Sequence, residues 1–96
     1  MSIMIIVDAK LKEESISKAI EFFAGIVPDT RSFEGCGGID VCIDSTDPGN
    51  LVLVEKWASM EHYEKYHHWR EETGVLDQIR ALLDGPVSRR VLNVAA

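Results

Sequence analysis

Residues 66–70 read YHHWR, an aromatic, two histidines, a tryptophan and an arginine in a chain with only three His and two Trp. Placed on a helical wheel at about 100° per residue, the segment 60–72 separates into two halves. One half carries Trp69, His62, Tyr66, Arg70, Tyr63 and His67, in that angular order. The other carries Lys65, Glu72, Glu61, His68, Glu64 and Glu71. The adjacent histidines therefore differ: His67 lies at the edge of the inner face, and His68 sits among glutamates facing water. Inner faces of small domains are normally Leu, Ile, Val and Phe, whereas every residue on this one is amphipathic and needs a partner when buried.

Two arrangements satisfy such a face. The side chains can cover a sheet edge and reach solvent with their polar ends. Alternatively they line a wet cavity that accepts a flat polar ring, with Trp69 and Tyr66 stacking on it and Arg70 stabilising a phenolate or enolate oxygen. A proton acceptor is then needed. His62 is one candidate. Asp8, which closes an otherwise apolar strand, is the other: it is either a strand-end charge or, if it points toward the helices, a base or a partner for Arg70.

The elements that must position these residues follow from periodicity. Ile3–Ala9 (IMIIVDA) is a β-rich apolar run. From Glu14, with Ser15 near the start, Ile16, Ala19, Ile20, Phe23 and Val27 recur at helical steps, and Pro28 is expected to end or kink that helix. A glycine-rich corner, FEGCGG, follows. Ile39, Val41 and Ile43 alternate with Asp40, Cys42 and Asp44 as in a half-buried strand. Asp47-Pro48-Gly49-Asn50 is a turn signal before LVLVEKW (51–57), so 38–57 should form an antiparallel hairpin. Ser59 can cap the helix that carries YHHWR. After a break at Thr73-Gly74 come a short helical piece, LDQIRALL (76–83), a stop at Gly85-Pro86, and a last strand, VSRRVLNV (87–94).

The order β-α-β-β-α-β is the α+β, ferredoxin-like split βαβ arrangement, an antiparallel sheet with two helices on one face, filling residues 1–96 as one domain. IMIIV and LVLV are apolar at both parities, so both faces of the sheet require burial. Two helices cover only one, and a homodimer through the free sheet face would cover the other.

Composition narrows the function. The formal net charge of −6 argues against a nucleic-acid surface, because phosphate contacts need clustered Lys and Arg. No apolar run approaches the roughly 20 residues of a membrane span, and the Met-Ser-Ile start lacks a charged leader, which leads us to expect a soluble cytoplasmic protein. Cys36 and Cys42 are expected to be reduced, since one extended strand would hold them too far apart for a disulfide. No phosphate loop, zinc spacing or serine triad is present, and no metal site is expected.

Five segments together resemble the antibiotic biosynthesis monooxygenase domain of the dimeric α+β barrel superfamily: IMIIVDAKLK, the corner FEGCGGIDV, DPGNLVLVEKWAS, SMEHYEKYHHWR and GPVSRRVLNV. The resemblance implies two ferredoxin-like sheets stacked in a homodimer and a cavity in each subunit between sheet and helices. Characterised members include cofactor-independent oxygenases of phenols and quinols, heme-degrading enzymes and isomerases. In the oxygenases the substrate supplies the electrons, so no flavin or metal is implied and the partners are a small aromatic substrate and dioxygen. Residues on the second helix line the family's pocket, which maps onto His62, Tyr66, Trp69 and Arg70, with Tyr63 and His67 beside them as substrate contacts. The heme-degrading branch has an Asn near the end of the first strand and a His in the later helical region; here Val7-Asp8 and a His-free 73–83 stand instead. The expected activity is cofactor-independent monooxygenation, with a non-oxidative isomerase or lyase and a non-catalytic binding module as its rivals.

Overall fold

The computed structural model describes residues 2–96, leaving Met1 outside it. Four strands form one antiparallel sheet: β1 (Ile3–Lys10), β2 (Cys36–Asp44), β3 (Asp47–Trp57) and β4 (Ser88–Asn93), in the order β2-β3-β1-β4. A single 3-10 turn at Glu13–Ser15 leads into α1 (Ile16–Ser32); α2 (Met60–Glu72) and α3 (Val75–Arg80) follow β3. This is the expected ferredoxin-like α+β fold. Among the described residues no helix is long and apolar enough to cross a membrane.

Register fixes which side chains share a face, because Cβ atoms alternate along a strand. Ile5 pairs Glu55 on β3 and Val91 on β4, and Glu55 pairs Ile39 on β2. Two residues along, Val7 pairs Leu53 and Arg89. These rows face the helices. Two clusters fill the space between. Ala9, Leu11, Ala19, Phe23, Leu51 and Leu83 pack at one end. Ile3, Ile5, Trp57, Tyr63 and Tyr66 pack at the other.

Four local expectations are corrected or narrowed. Of the two outcomes open to Pro28, an end or a kink, the end does not occur: α1 runs on to Ser32. Its last turn is anchored by buried Thr30, by Arg31 Nη2 donating to Ile39 O at 3.0 Å and by Phe33 N donating to Thr30 O at 3.1 Å; this anchoring holds the helix together past the missing proline donor. Ile20 is half exposed, since the buried arc of α1 centres on Ala19, Phe23 and Thr30 and leaves Ile20 on its rim. The hairpin reverses at Ser45-Thr46 rather than at Asp47–Asn50, because Asp44 Oδ1 accepts from both the backbone N and Oγ1 of Thr46 at 2.8 Å. Those bonds hold the Asp44 carboxyl below its ordinary range. The helical piece after Gly74 is Val75–Arg80; Leu83 instead bridges to Leu11.

Two glycines sit where only glycine is comfortable. Gly74, at φ 80°, lets the chain leave α2 and restart as α3. Gly35, at φ 88°, turns the chain into β2 with the His62 ring packed against its α-carbon, where any Cβ would overlap the imidazole.

Candidate functional site

Ser59 starts α2 as its N-cap, accepting a hydrogen bond from His62 N at 3.2 Å. That fixes the helix phase, and the face expected from the wheel results: Tyr63, Tyr66 and Arg70 are buried, His62, His67 and Trp69 are half-buried, and His68 is exposed and pairs with Glu72.

The inner face nevertheless divides between two environments. One is an aromatic and cationic lock against the end of α1. Arg70 is 3% exposed. Its Nε donates to Tyr66 Oη at 3.0 Å, and its Nη2 donates to Ile26 O at 3.0 Å and to Thr30 Oγ1 at 2.9 Å. Thr30 Oγ1 and Tyr66 Oη lie 2.7 Å apart, and the guanidinium stands 4.4 Å from the Trp69 ring. Trp69 stacks in turn on Phe33, centroids 5.4 Å apart. His62 packs on Gly35, with Nδ1 2.7 Å from Ser59 Oγ.

The other environment is a cavity of about 480 Å³ between sheet and helices, within the range of small-molecule sites. Val7, Leu53, Phe23, Val27, Ile79 and Leu83 supply apolar wall. Tyr63, Tyr66 and His67 reach it from α2, Glu55 from β3, Arg89 from β4 and Arg80 from α3. Of the candidates read from sequence, the structure brings Tyr63, Tyr66 and His67 to the cavity. Arg70, Trp69 and His62 do not line it, because α2 turns them toward α1 and the Gly35 corner. Asp8 is exposed and, paired with Val52 and Ser88, belongs to the sheet face away from the helices. Arg70, Trp69 and His62, expected at a cavity wall, thus lie outside it, and of the two placements open to Asp8 the structure gives the strand-end charge.

Glu55, Arg89, Arg80 and Thr30 were not singled out by the sequence, and Glu55 is the most unusual of them. It is 4% exposed. Trp57 Nε1 donates to its Oε1 at 3.1 Å. Among the described residues no donor meets Oε2, and no fully buried side-chain N or O atom lacks a partner, so Oε2 is not sealed off; Glu55 lines the cavity. Burial pushes the carboxyl pKa up, against the Trp57 hydrogen bond and the positive charge of Arg89. Beside it, Arg89 Nη1 donates to Tyr63 Oη at 3.2 Å and its guanidinium lies 5.5 Å from the Tyr63 ring. Burial also raises Tyr63, opposed by that hydrogen bond. His67 is pushed below the ordinary imidazole range, first by burial and then by Arg89. The lining of a mainly apolar cavity thus includes a carboxyl with one oxygen unpartnered among the described residues, a phenol whose O–H remains free to donate, an imidazole biased toward neutrality and two guanidinium groups, those of Arg80 and Arg89. Cys36, half-buried, is a free thiol whose pKa burial raises. Among the described residues no three His, Cys, Asp or Glu side chains gather as they would around a metal ion.

Solved structures share this architecture. The chain superposes on Rv0793 from Mycobacterium tuberculosis with a TM-score of 0.88 at 21% identity, covering 100% of this chain and 97% of that one. A conserved protein from Methanosarcina mazei Go1 gives 0.89 at 15%, covering 97% and 92%. An antibiotic biosynthesis monooxygenase gives 0.87 at 20%, covering 98% and 99%. At these identities the likeness shows the fold. No curated protein matches the chain. The antibiotic biosynthesis monooxygenase family matches over residues 2–72, which is 71 of the 96 residues, and this chain therefore belongs to that family.

Proposed function

We propose that the chain is a cofactor-independent monooxygenase of a small phenol or quinol, working in the cavity between sheet and helices. The observation that carries this reading is the cavity itself. It is roomy enough for one ring system, largely apolar along its walls, and polar where Glu55, His67 and the hydrogen-bonded Arg89–Tyr63 pair line it, with Arg80 contributed from α3. A phenolic ring fits that division, its edge buried against Val7, Leu53 and Phe23 and its oxygen at the polar groups. Arg89 and the Tyr63 O–H stabilise the substrate anion there, in place of Arg70, whose Nε and Nη2 donate to Tyr66, Thr30 and Ile26 and which does not line the cavity. Oxidation of a phenol to a quinone draws four electrons from the ring; one atom of dioxygen enters the product and the other leaves as water.

The assembly we propose is a homodimer through the outer sheet face. Met4, Ile6, Val52 and Val54 lie half-buried there, with Leu92 39% exposed, a stripe of apolar surface that a second sheet would bury. Sedimentation should give a dimer that Ile6→Glu converts to monomer; a monomeric wild type contradicts this part.

The test of the activity is oxygen uptake by metal-free protein across a panel of quinols. Uptake above the uncatalysed rate, lost in Tyr63→Phe and Arg89→Met, supports the reading. No uptake in air sinks it, and product formed under strict anaerobiosis would instead indicate an isomerase or lyase.

A further inference from the structure

We propose that Glu55 is the catalytic base of this cavity: its free oxygen, Oε2, takes the hydroxyl proton of a bound phenol or quinol, and Arg89 with Tyr63 holds the oxygen left behind. In this step the O–H bond of the ligand breaks, its electron pair stays on the ligand oxygen, and the proton joins Glu55. The inference rests on the reading of the cavity as a phenol site and adds a proton acceptor to it.

Three observations carry it. First, Glu55 stands on a helix-facing row of the sheet with Ile5, Ile39 and Val91 as its register partners, so an otherwise apolar row contains one carboxyl. A buried carboxyl costs stability unless it is paired. Among the described residues this one has a single side-chain hydrogen bond, from Trp57, and no cation within 4.0 Å. Secondly, Trp57 fixes the carboxyl by holding Oε1, and Trp57 is itself fully buried and packed by Tyr63 and Tyr66 at centroid distances of 5.9 and 4.9 Å. One oxygen is thereby a handle and the other is presented to the cavity, which is how a positioned base is built. Thirdly, the groups that would receive the anion are adjacent: Arg89 polarises Tyr63 through a 3.2 Å hydrogen bond from Nη1 to the phenolic oxygen, leaving the Tyr63 proton to donate to the ligand. Burial gives the Glu55 carboxylate greater basicity than an exposed one, against the pull of Trp57 and Arg89. His62 and Asp8, the other candidates for the proton, lie outside the cavity.

The experiment uses 4-nitrophenol, a phenol whose anion has its own visible band, titrated with the full-length protein at a pH below the probe's own pKa. The wild type should bind it and convert it to the phenolate, read as saturable growth of that band. Glu55→Gln keeps an oxygen for Trp57 Nε1, so calorimetry should show the probe bound within about threefold of wild type while the phenolate band falls at least tenfold, within the range that loss of a positioned base produces. Equal bands in the two proteins overturn the proposal, as does a wild type that binds the probe without ionising it or does not bind it. If Glu55→Gln does not fold, Arg89→Met on the exposed edge strand reports on the same step: its band should also be lost, and a retained band overturns the proposal. An intact, Glu55-dependent band with no oxygen uptake from quinols would leave the base in place and remove the oxygenase reading. Oxygen uptake that survives in Glu55→Gln would do the reverse.

Discussion

Replacing Arg70 separates a structural role from a ligand role. The guanidinium is 3% exposed, has no carboxylate partner among the described residues, and donates to Tyr66 Oη, Ile26 O and Thr30 Oγ1. Hydrogen bonds to a charged group contribute about 1.5–3 kcal/mol each, but Arg70→Met forfeits less than their sum. The Thr30 and Tyr66 hydroxyls remain bonded to each other at 2.7 Å, and Ile26 O keeps the weaker donation from Thr30 Oγ1 at 3.4 Å. Methionine also fills much of the aliphatic stem and removes a desolvated charge. Loss of the cation over the half-buried Trp69 adds about 1–2 kcal/mol. The net cost should be about 2–3 kcal/mol, read as a fall in the urea midpoint at unchanged slope and roughly 10–20 °C in Tm for a domain of this size. Phenol binding should stay within about twofold, because Arg70 does not line the cavity. Wild-type stability combined with lost phenol binding would refute this assignment.

Glu55→Gln should be more stable than the wild type at neutral pH, and the difference should vanish in acid. The folded-state pKa is raised, so the wild-type carboxyl contributes its full stability below the unfolded value of about 4.3 and loses it as pH rises through the folded value, at no more than about 1.4 kcal/mol per pH unit. Urea midpoints that run parallel for the two proteins across that window would contradict it. Gly35→Ala should cost about 2–5 kcal/mol, combining a positive φ with overlap of the His62 ring. His62→Ala in the same background should recover the overlap share, about 1–3 kcal/mol, and strict additivity in that double-mutant cycle would show that the two do not meet. The His67 ring should titrate below the ordinary imidazole range in an NMR pH series. Arg89→Met should raise its midpoint, and an unchanged midpoint would place Arg89 away from it.

Much of the fold was legible because helices and strands carry different periods. The inner face of α2 could be read from the wheel because Ser59 fixes its first turn. What the wheel could not show is that one face divides between two neighbours: Trp69 and Arg70 turn to Phe33 and α1, while Tyr63 and His67 turn to the cavity. A second signal was present but went unread. In LVLVEKW, Leu51, Leu53, Glu55 and Trp57 share a parity, so a strand whose Trp faces the helices must carry its Glu inward as well. Arg89 follows by the same rule from β4, paired across Val7. Parity also decides Asp8 once Ile5 is known to be buried, since an odd-numbered core row sends residue 8 to the other face. The hairpin turn was missed because Asp47-Pro48-Gly49-Asn50 and Asp44-Ser45-Thr46 both carry turn chemistry, and the side-chain bonds of Asp44 win.

The three histidines occupy three different places and report directly on where a ligand sits. His67 lines the cavity, His62 packs on Gly35, and His68 faces solvent beside Glu72. Titrating the protein with a quinol under anaerobic conditions, while following the imidazole resonances, therefore tests the central claim without requiring turnover. The account predicts a saturable shift of the His67 signals with those of His62 and His68 unmoved. Shifts centred on His62, or none at His67 when the quinol is bound, would contradict it.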